Sequence, residues 1–356
     1  MNVLILGGGA QGRVIAADLA AASPQAKVSV ADVRKPALPA LPNLSWIEAD
    51  LSDTNAVIRL LASHDLAVGA LPARLGFQVM RAAIEAKRPM VDVSFSEEGP
   101  LDLDADARKA GIALVPDCGL APGMSHLLVG RAVQRYGKPR EITILVGGVA
   151  VDKTRPYGYV VTGSLEDLVA EYTRPARIVR DGKPISVPAL SGLENVTIDG
   201  AGTMERFYSD GLRTLLRTLP GVPDMREMTL RWPGHVEQVI PLMRDGTLVE
   251  VFRRECVVDP PEDLVAMEVS GTWADGTSRR WTLIDRYDPV TKMTAMARTT
   301  ALTTAAAARL GAERGLGRPG VRPLELVAED IDAADFILGA LAERGIRVRE
   351  PVETKA

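Results

Sequence analysis

From residue 3 to residue 117 the chain alternates short apolar runs with stretches whose apolar positions recur every three to four residues. The apolar runs cover 3–6, 27–32, 44–50, 65–71, 89–94 and 112–117, and the helix-patterned stretches between them include 10–22, 54–63, 76–87 and 103–110. Near-continuous apolar strands separated by helices predict a parallel sheet covered on both faces. Six such strands fit the doubly wound α/β arrangement that binds dinucleotides.

Beyond residue 117 the pattern changes. A long helix is expected over about 121–136, opening at Pro122-Gly123, after which strands dominate. Hairpin signals stand at Asp181-Gly182, Asp245-Gly246 and Asp275-Gly276, with a turn at Asp288-Pro289. Segments 265–273, 278–287 and 292–297 read as an antiparallel meander, and an Ala-rich helix follows over 299–312. The expected fold class is α/β, with an N-terminal Rossmann-type doubly wound parallel sheet and an α+β substrate domain whose sheet is mainly antiparallel. The boundaries expected are 1–120 for an NAD(P)-binding domain and 121–300 for the substrate and catalytic domain. The remainder, 301–356, is expected as a helical segment that packs back on the first domain, with a helix near 333–344.

Composition narrows the class. The 356 residues correspond to about two domains of roughly 150 each. Lys+Arg number 42 against 46 Asp+Glu, a net charge of −4 without a long basic run. A nucleic-acid surface needs clustered cations, so no nucleic-acid partner is expected. No apolar run approaches the roughly 20 residues of a membrane span, so no membrane partner is expected either. The first run, 3–6, is too short and lacks the basic leader of a signal peptide. A soluble, cytoplasmic protein is expected. Two cysteines, Cys118 and Cys256, make no disulfide framework, and the three histidines have no metal-ligand spacing, so no metal is expected.

The sharpest motif is Gly7-Gly8-Gly9-Ala10-Gln11-Gly12, which follows a strand and opens a helix. Gly7, Gly9 and Gly12 satisfy G-x-G-x-x-G, whose glycines serve a tight turn, close approach to a pyrophosphate, and helix–strand packing. The helix start, including Ala10 and Gln11, offers free N–H groups to the phosphates. Asp32 closes the second strand 20 residues beyond Gly12, where a carboxylate binds ribose hydroxyls. It favours NAD over NADP, because a carboxylate repels a 2′-phosphate, and the neighbouring Val33 is a further candidate contact. Arg34 and Lys35 weigh the other way. The later strand ends add candidate contacts at Asp50, Leu51, Ala70, Leu71, Pro72, Val93 and Ser94, each of which is also an ordinary loop position.

The segments MNVLILGGGAQGR, DLAVGALPA, VDVSF, ALVPDCGLAPGMSHLL and KMTAMARTTALTTAAAARL together resemble the saccharopine dehydrogenase family. The most specific is Pro116-Asp117-Cys118-Gly119-Leu120-Ala121-Pro122-Gly123, similar to the family's crossover between domains. Trp232-Pro233-Gly234-His235 and the run from Thr294 to Thr300 resemble most its lysine 6-dehydrogenase branch. The resemblance implies a two-domain nicotinamide-dependent oxidoreductase that acts on a side-chain amine of an amino acid held between the domains. It also implies a homo-oligomer, a dimer or larger. Saccharopine- or carboxynorspermidine-type imine reduction is the alternative within the family, and a non-catalytic nicotinamide-binding module is the alternative outside it.

Amine oxidation needs a proton shuttle and an anchor for the far end of the substrate. His235, expected at a helix start where the dipole keeps the ring neutral, is the best histidine for the shuttle. Packing is the plainer alternative. Asp117, at the sixth strand end, holds or deprotonates the amine or else caps the next helix. Asp92 is a weaker candidate, and His126 and His64 read as structural. Glu166 and Tyr172, on a helix capped by Ser164, read as surface residues. Arg213 is expected in the first turn of a helix and Arg298 just ahead of the helix that begins near Thr299, helix starts where a cation is unfavourable unless an anion offsets it. A substrate α-carboxylate bound bidentately, with Thr214 and Thr299 as further donors, is that anion. Pairing of Arg213 with Glu205 or Asp210 is the plainer alternative. Cys118 has no base beside it and reads as packing.

Overall fold

The computed structural model describes residues 1–355. By its internal contacts the chain forms two compact units, Met1–Arg131 with Thr299–Gly345, and Ala132–Arg298 with the segment from Ile346 onward. The first unit opens β1 (Asn2–Leu6), α1 (Ala10–Ala22), β2 (Lys27–Asp32), β3 (Leu44–Glu48), α2 (Thr54–Ala62), β4 (Leu66–Gly69), α3 (Ala73–Glu85), β5 (Met90–Asp92), α4 (Asp104–Ala110) and β6 (Ala113–Val115). The helix α5 (Met124–Tyr136) then leaves it, starting later than residue 121.

In the second unit the order is β7 (Glu141–Ala150), α6 (Leu165–Thr173), β8 (Ala176–Arg180), β9 (Lys183–Val187), β10 (Glu194–Ile198), β11 (Gly202–Ser209), α7 (Leu215–Thr218), β12 (Asp224–Arg231), α8 (His235–Arg244), α9 (Leu248–Glu255), β13 (Asp263–Thr272) and β14 (Thr277–Arg286). The chain then runs through α10 (Ala295–Arg314), β15 (Gly320–Val321), α11 (Leu324–Val327), α12 (Ile331–Ala342) and β16 (Arg349–Lys355).

The first unit's sheet has the order β15-β6-β5-β4-β1-β2-β3, every pair parallel. Strands β1, β4 and β6 are apolar throughout their buried lengths, because helices cover both faces, and β5 departs from this only at its last residue, Asp92. One face packs on Val57 and Leu61 of α2 and Val79 and Met80 of α3. The seventh strand, β15, has only two residues, too few for a sequence pattern.

The second unit's sheet runs β10-β11-β12-β7-β13-β14-β16, with β8 pairing β12 and β9; only β12 and β7 are parallel. Asp181 and Gly182, at φ +50° and +74°, turn the β8–β9 hairpin as expected. The Asp245-Gly246 signal instead ends α8: Gly246 (φ +70°) turns the chain into α9. A second correction concerns the meander. The third strand of the meander, beside β14, is β16, whereas 292–297 folds into a turn and the start of α10. So the tail expected to pack wholly on the first domain gives its last strand to the second sheet. A mainly polar strand such as β16 carries no information about which sheet it joins.

Candidate functional site

The glycine loop is a product of backbone crowding. Gly7, at φ +105°, donates its N–H to Ala31 O at 2.9 Å, and a Cβ there would come within 2.5 Å of Ala70 O. A Cβ on Gly12 would overlap the Gly7 carbonyl. Gly9 differs, since nothing lies within 4 Å of where its Cβ would point. It is the N-cap of α1 and brings no side-chain hydrogen bond to the helix start. The first N–H groups of α1, at Ala10 and Gln11, therefore face an open approach suited to an anion.

Asp32, at the end of β2, joins this loop. Its Oδ2 accepts the Gly8 N–H at 2.7 Å and its Oδ1 accepts the Arg34 N–H at 3.0 Å. Each oxygen retains a lone pair for a hydroxyl, and Val33 beside it is exposed. These residues fit a nicotinamide dinucleotide, with Gly7–Gly12 against the pyrophosphate and Asp32 against the adenosine ribose. When bound, that group supplies the hydride acceptor.

The other proposed contacts divide. Asp50 is exposed, and Ser52, bonding through its hydroxyl at 2.6 Å and its N–H at 2.9 Å, holds the carboxyl below the usual range. Leu51 belongs to the core cluster with Val57 and Leu61, so its side chain is a packing group and not a cofactor contact. Ala70 and Leu71 are half-buried against Gly7, and Pro72 is the N-cap of α3. Val93 is half-buried and Ser94 buried.

Beyond β5 and β6 lie two buried carboxyls. Asp117 is held at φ +52°, a region that non-glycine residues enter at a cost and that recurs at functional sites. Asp92 ends β5, and burial pushes its carboxyl up to about 8. Cys118 is fully buried, and burial with the two nearby carboxyls pushes its thiol far above the reactive range, in keeping with packing. His126 is buried 3.5 Å from Glu325.

In the second unit His235 opens α8, as expected, but is only 1% exposed. Its Nδ1 lies 2.7 Å from the Tyr157 carbonyl, which can only accept, so Nδ1 carries the proton. Its Nε2 then accepts from the Tyr172 hydroxyl at 2.7 Å, and Tyr172 in turn accepts from Arg231 Nε at 3.0 Å. Arg231 also reaches Glu171 at 3.0 Å and Leu230 O at 3.0 Å. Burial, and after it the Arg231 charge, lowers His235 to about 3. The ring is thus neutral, and burial is the main cause. With both nitrogens satisfied inside the protein, the shuttle role expected of His235 has no open atom to work through. Tyr172, read from sequence as a surface residue, is part of this core. An arginine at the end of a strand gave no signal of it.

The two arginines also sit differently from expectation. Arg213 is buried at φ +45° ahead of α7, a single turn of four residues. Of the two expected partners, Asp210 is bound by Arg177 at 2.8 Å, and Glu205 accepts the Gly234 and Val236 N–H groups at the start of α8, each at 2.7 Å. The Thr214 hydroxyl is buried without a partner. Arg298 lies in the first turn of α10, paired with Asp285 at 3.0 Å and Asp288 at 3.1 Å. Asp263 accepts the Ala295 and Met296 N–H groups at that helix start. The anion called for by a cation at a helix start is therefore supplied by the protein, and the Arg298 clamp loses its motive. Thr299 is fully buried inside α10, one turn past its start.

The architecture and the glycine loop define a two-domain nicotinamide-nucleotide oxidoreductase. A model of the saccharopine dehydrogenase NADP binding domain matches residues 3–115, and one of the saccharopine dehydrogenase C-terminal domain matches residues 119–255. The chain belongs to the saccharopine dehydrogenase family. It is 26% identical over 309 residues to the NADP(+)-linked, L-glutamate-forming saccharopine dehydrogenase of Saccharomyces cerevisiae, covering 78% of this chain and 69% of that one. In fold it is similar to the apo structure of the histidine-tagged yeast saccharopine dehydrogenase (L-Glu forming), at a TM-score of 0.77 and 21% identity over 100% and 99% of the two chains. It is also similar to the homospermidine synthase of Legionella pneumophila in complex with NAD, at a TM-score of 0.69 and 11% identity over 99% and 91%.

Proposed function

We propose that the chain oxidises the side-chain amine of an amino acid, taking L-lysine to the 6-semialdehyde, which closes on its own α-amine as ammonia and reduced cofactor leave. The observation that carries this reading is the complete dinucleotide loop, Gly7 to Gly12 with Asp32, in a chain of this family. Asp117, buried beyond β6, is the group assigned to hold the substrate amine and take its proton. Arg213 with Thr214 is assigned to the substrate α-carboxylate. NAD is the preferred carrier, supported by the Asp32 carboxylate where a 2′-phosphate would stand. The NADP(+)-linked, L-glutamate-forming activity of the yeast relative supports a second reading, saccharopine-type chemistry with NADP.

The deciding experiment supplies NAD or NADP with L-lysine or saccharopine and assays ammonia beside reduced cofactor. Lysine turnover with ammonia is expected, rising toward alkaline pH because the ε-amine, near pKa ~10.4, must lose its proton before hydride leaves. Saccharopine turnover without any lysine activity would put the second reading in its place. The chain is further expected to act as a homo-oligomer, which sedimentation equilibrium checks.

A further inference from the structure

Two hydroxyls at the ends of the turn that joins β11 to α7, Ser209 Oγ and Thr214 Oγ1, are buried without a hydrogen-bond partner. Ser209 is 4% exposed and Thr214 2%. Between them the chain runs Asp210-Gly211-Leu212-Arg213, and the Glu227 carboxyl lies against it: a Cβ on Gly211 would overlap Glu227 Oε1. Glu227 comes from β12, where it stands directly across the antiparallel ladder from Ser209. One turn and its cross-strand neighbour thus bring together a carboxyl, an arginine and two hydroxyls, on residues that are all buried.

The other polar side chains around the turn are already engaged. By the two-residue alternation of a strand, Glu205, Thr229 and Arg231 share a face of β11 and β12 with Ser209 and Glu227. Glu205 accepts the Gly234 and Val236 N–H groups, Thr229 donates to Glu171 at 2.7 Å, and Arg231 bonds Glu171 and Tyr172. Asp210, in the turn itself, accepts the Arg177 N–H, Nε and Nη2 at 3.0, 2.9 and 2.8 Å. Hydrogen-bonding capacity is left over at Ser209 and Thr214. A buried polar atom without a partner is costly, and a ligand that supplies the partner removes the cost.

Resting on the amine-oxidation reading above, we propose that Glu227 and Ser209 bind the α-ammonium of the substrate, beside the carboxylate assigned to Arg213 and Thr214. The Glu227 carboxylate and Ser209 Oγ accept its N–H groups, while the Thr214 hydroxyl donates to the substrate carboxylate. An amino acid carries both charges on one carbon, so its reader has to present an anion and a cation close together. A turn that holds Arg213, closed by an acid from the next strand, does so. The site then selects the whole zwitterion and not the amine chain alone. A ligand without the α-ammonium leaves a buried acid short of the cation it is set to meet, and such a mismatch is strongly disfavoured.

The test compares L-lysine with 6-aminohexanoate on the full-length protein; the analogue keeps the carboxylate and the reacting amine and lacks only the α-ammonium. The wild type is expected to favour lysine in kcat/KM by at least about a hundredfold. Glu227→Gln should shrink that preference below about tenfold by lowering lysine, and Ser209→Ala should shrink it less. Arg213→Lys should weaken both substrates alike, since both carry the carboxylate. A Glu227 that merely holds Arg213 in place would do the same, lowering both and keeping the ratio, and that result overturns the proposal. So does a wild type indifferent between the two substrates, an outcome readable even if Glu227→Gln fails to fold. Binding gives a readout free of turnover. With cofactor present, L-norleucine should bind the wild type at least about tenfold more tightly than hexanoate in calorimetry, and Glu227→Gln should lose the margin. Equal binding of the two by the wild type overturns the proposal. A norleucine margin without any lysine turnover sinks the oxidation reading instead.

Discussion

The carboxyl edge of the parallel sheet and the core beneath the antiparallel sheet both bury ionisable side chains, and they handle them in opposite ways. Around Arg231 the hydrogen bonds close on the protein: its guanidinium bonds Tyr172, Glu171 and the Leu230 carbonyl, and His235 bonds Tyr172 and the Tyr157 carbonyl. Along the parallel sheet the buried Asp92 carboxyl bonds only Ser94, two residues on, and the start of α1 stays open, without a cap. A closed network uses its polar groups to hold one packing arrangement, whereas an open one keeps hydrogen-bonding capacity for a ligand.

The largest expected effect tests the closed side. Arg231→Met removes the donor shared by Tyr172 and Glu171 inside the core, and should cost about 3 kcal/mol of stability in denaturant unfolding, the usual scale for breaking a buried pair. A loss below about 1 kcal/mol would mean that the network does not hold the fold. On the open side Gly12→Ala pushes a methyl into the Gly7 carbonyl. It should weaken NADH and ADP-ribose alike by about a hundredfold, near 2.7 kcal/mol at 1.36 kcal/mol per decade, as calorimetry would report. Unchanged binding would show that the phosphates do not lie on this loop.

The open side was far more legible in the sequence than the closed one. Gly7, Gly9, Gly12 and Asp32 act within a short span, and glycines forced by backbone contact leave a fixed spacing. The parallel strands could be read because burial on both faces removes polar residues from them. The closed network joins Tyr157, Tyr172, Arg231 and His235 across up to 78 residues of chain, and no local pattern encodes which side chains meet. Arg298 shows a further limit. Its place at a helix start correctly signalled a nearby anion, but the sequence could not say that Asp263, Asp285 and Asp288 supply it. Asp92 was visible only as a strand-end acid, since its burial depends on Gly69 and Gly76, remote in sequence and unremarkable alone.

His235→Gln is the next step down. Its amide can keep one of the two bonds, so a stability loss of about 1–2 kcal/mol is expected, with kcat changed less than about threefold. The pH dependence gives a second readout. In the folded protein His235 is lowered to about 3 from 6.5, so as pH falls below 6.5 the unfolded chain takes up a proton that the folded one refuses. The wild type therefore loses stability on acidification between those values, and the variant should lose less. A fall in kcat of a hundredfold or more with stability intact would return the proton shuttle to His235 and erase the contrast between the two regions.

The smallest effect is expected at Arg298. Its guanidinium bridges Asp285 and Asp288 at the start of α10, and Lys would keep the charge while losing the fork that meets two carboxylates at once. Because both partners belong to the protein, Arg298→Lys should cost under about 1 kcal/mol of stability and leave the amino-acid KM within about twofold. Arg213→Lys supplies the control, since the α-carboxylate is assigned to Arg213 and its variant should raise KM while sparing cofactor binding. If KM instead rises about tenfold at Arg298 and stays level at Arg213, the α-carboxylate displaces the internal acids, and the pairing of Arg298 with Asp285 and Asp288 is a resting arrangement that substrate opens.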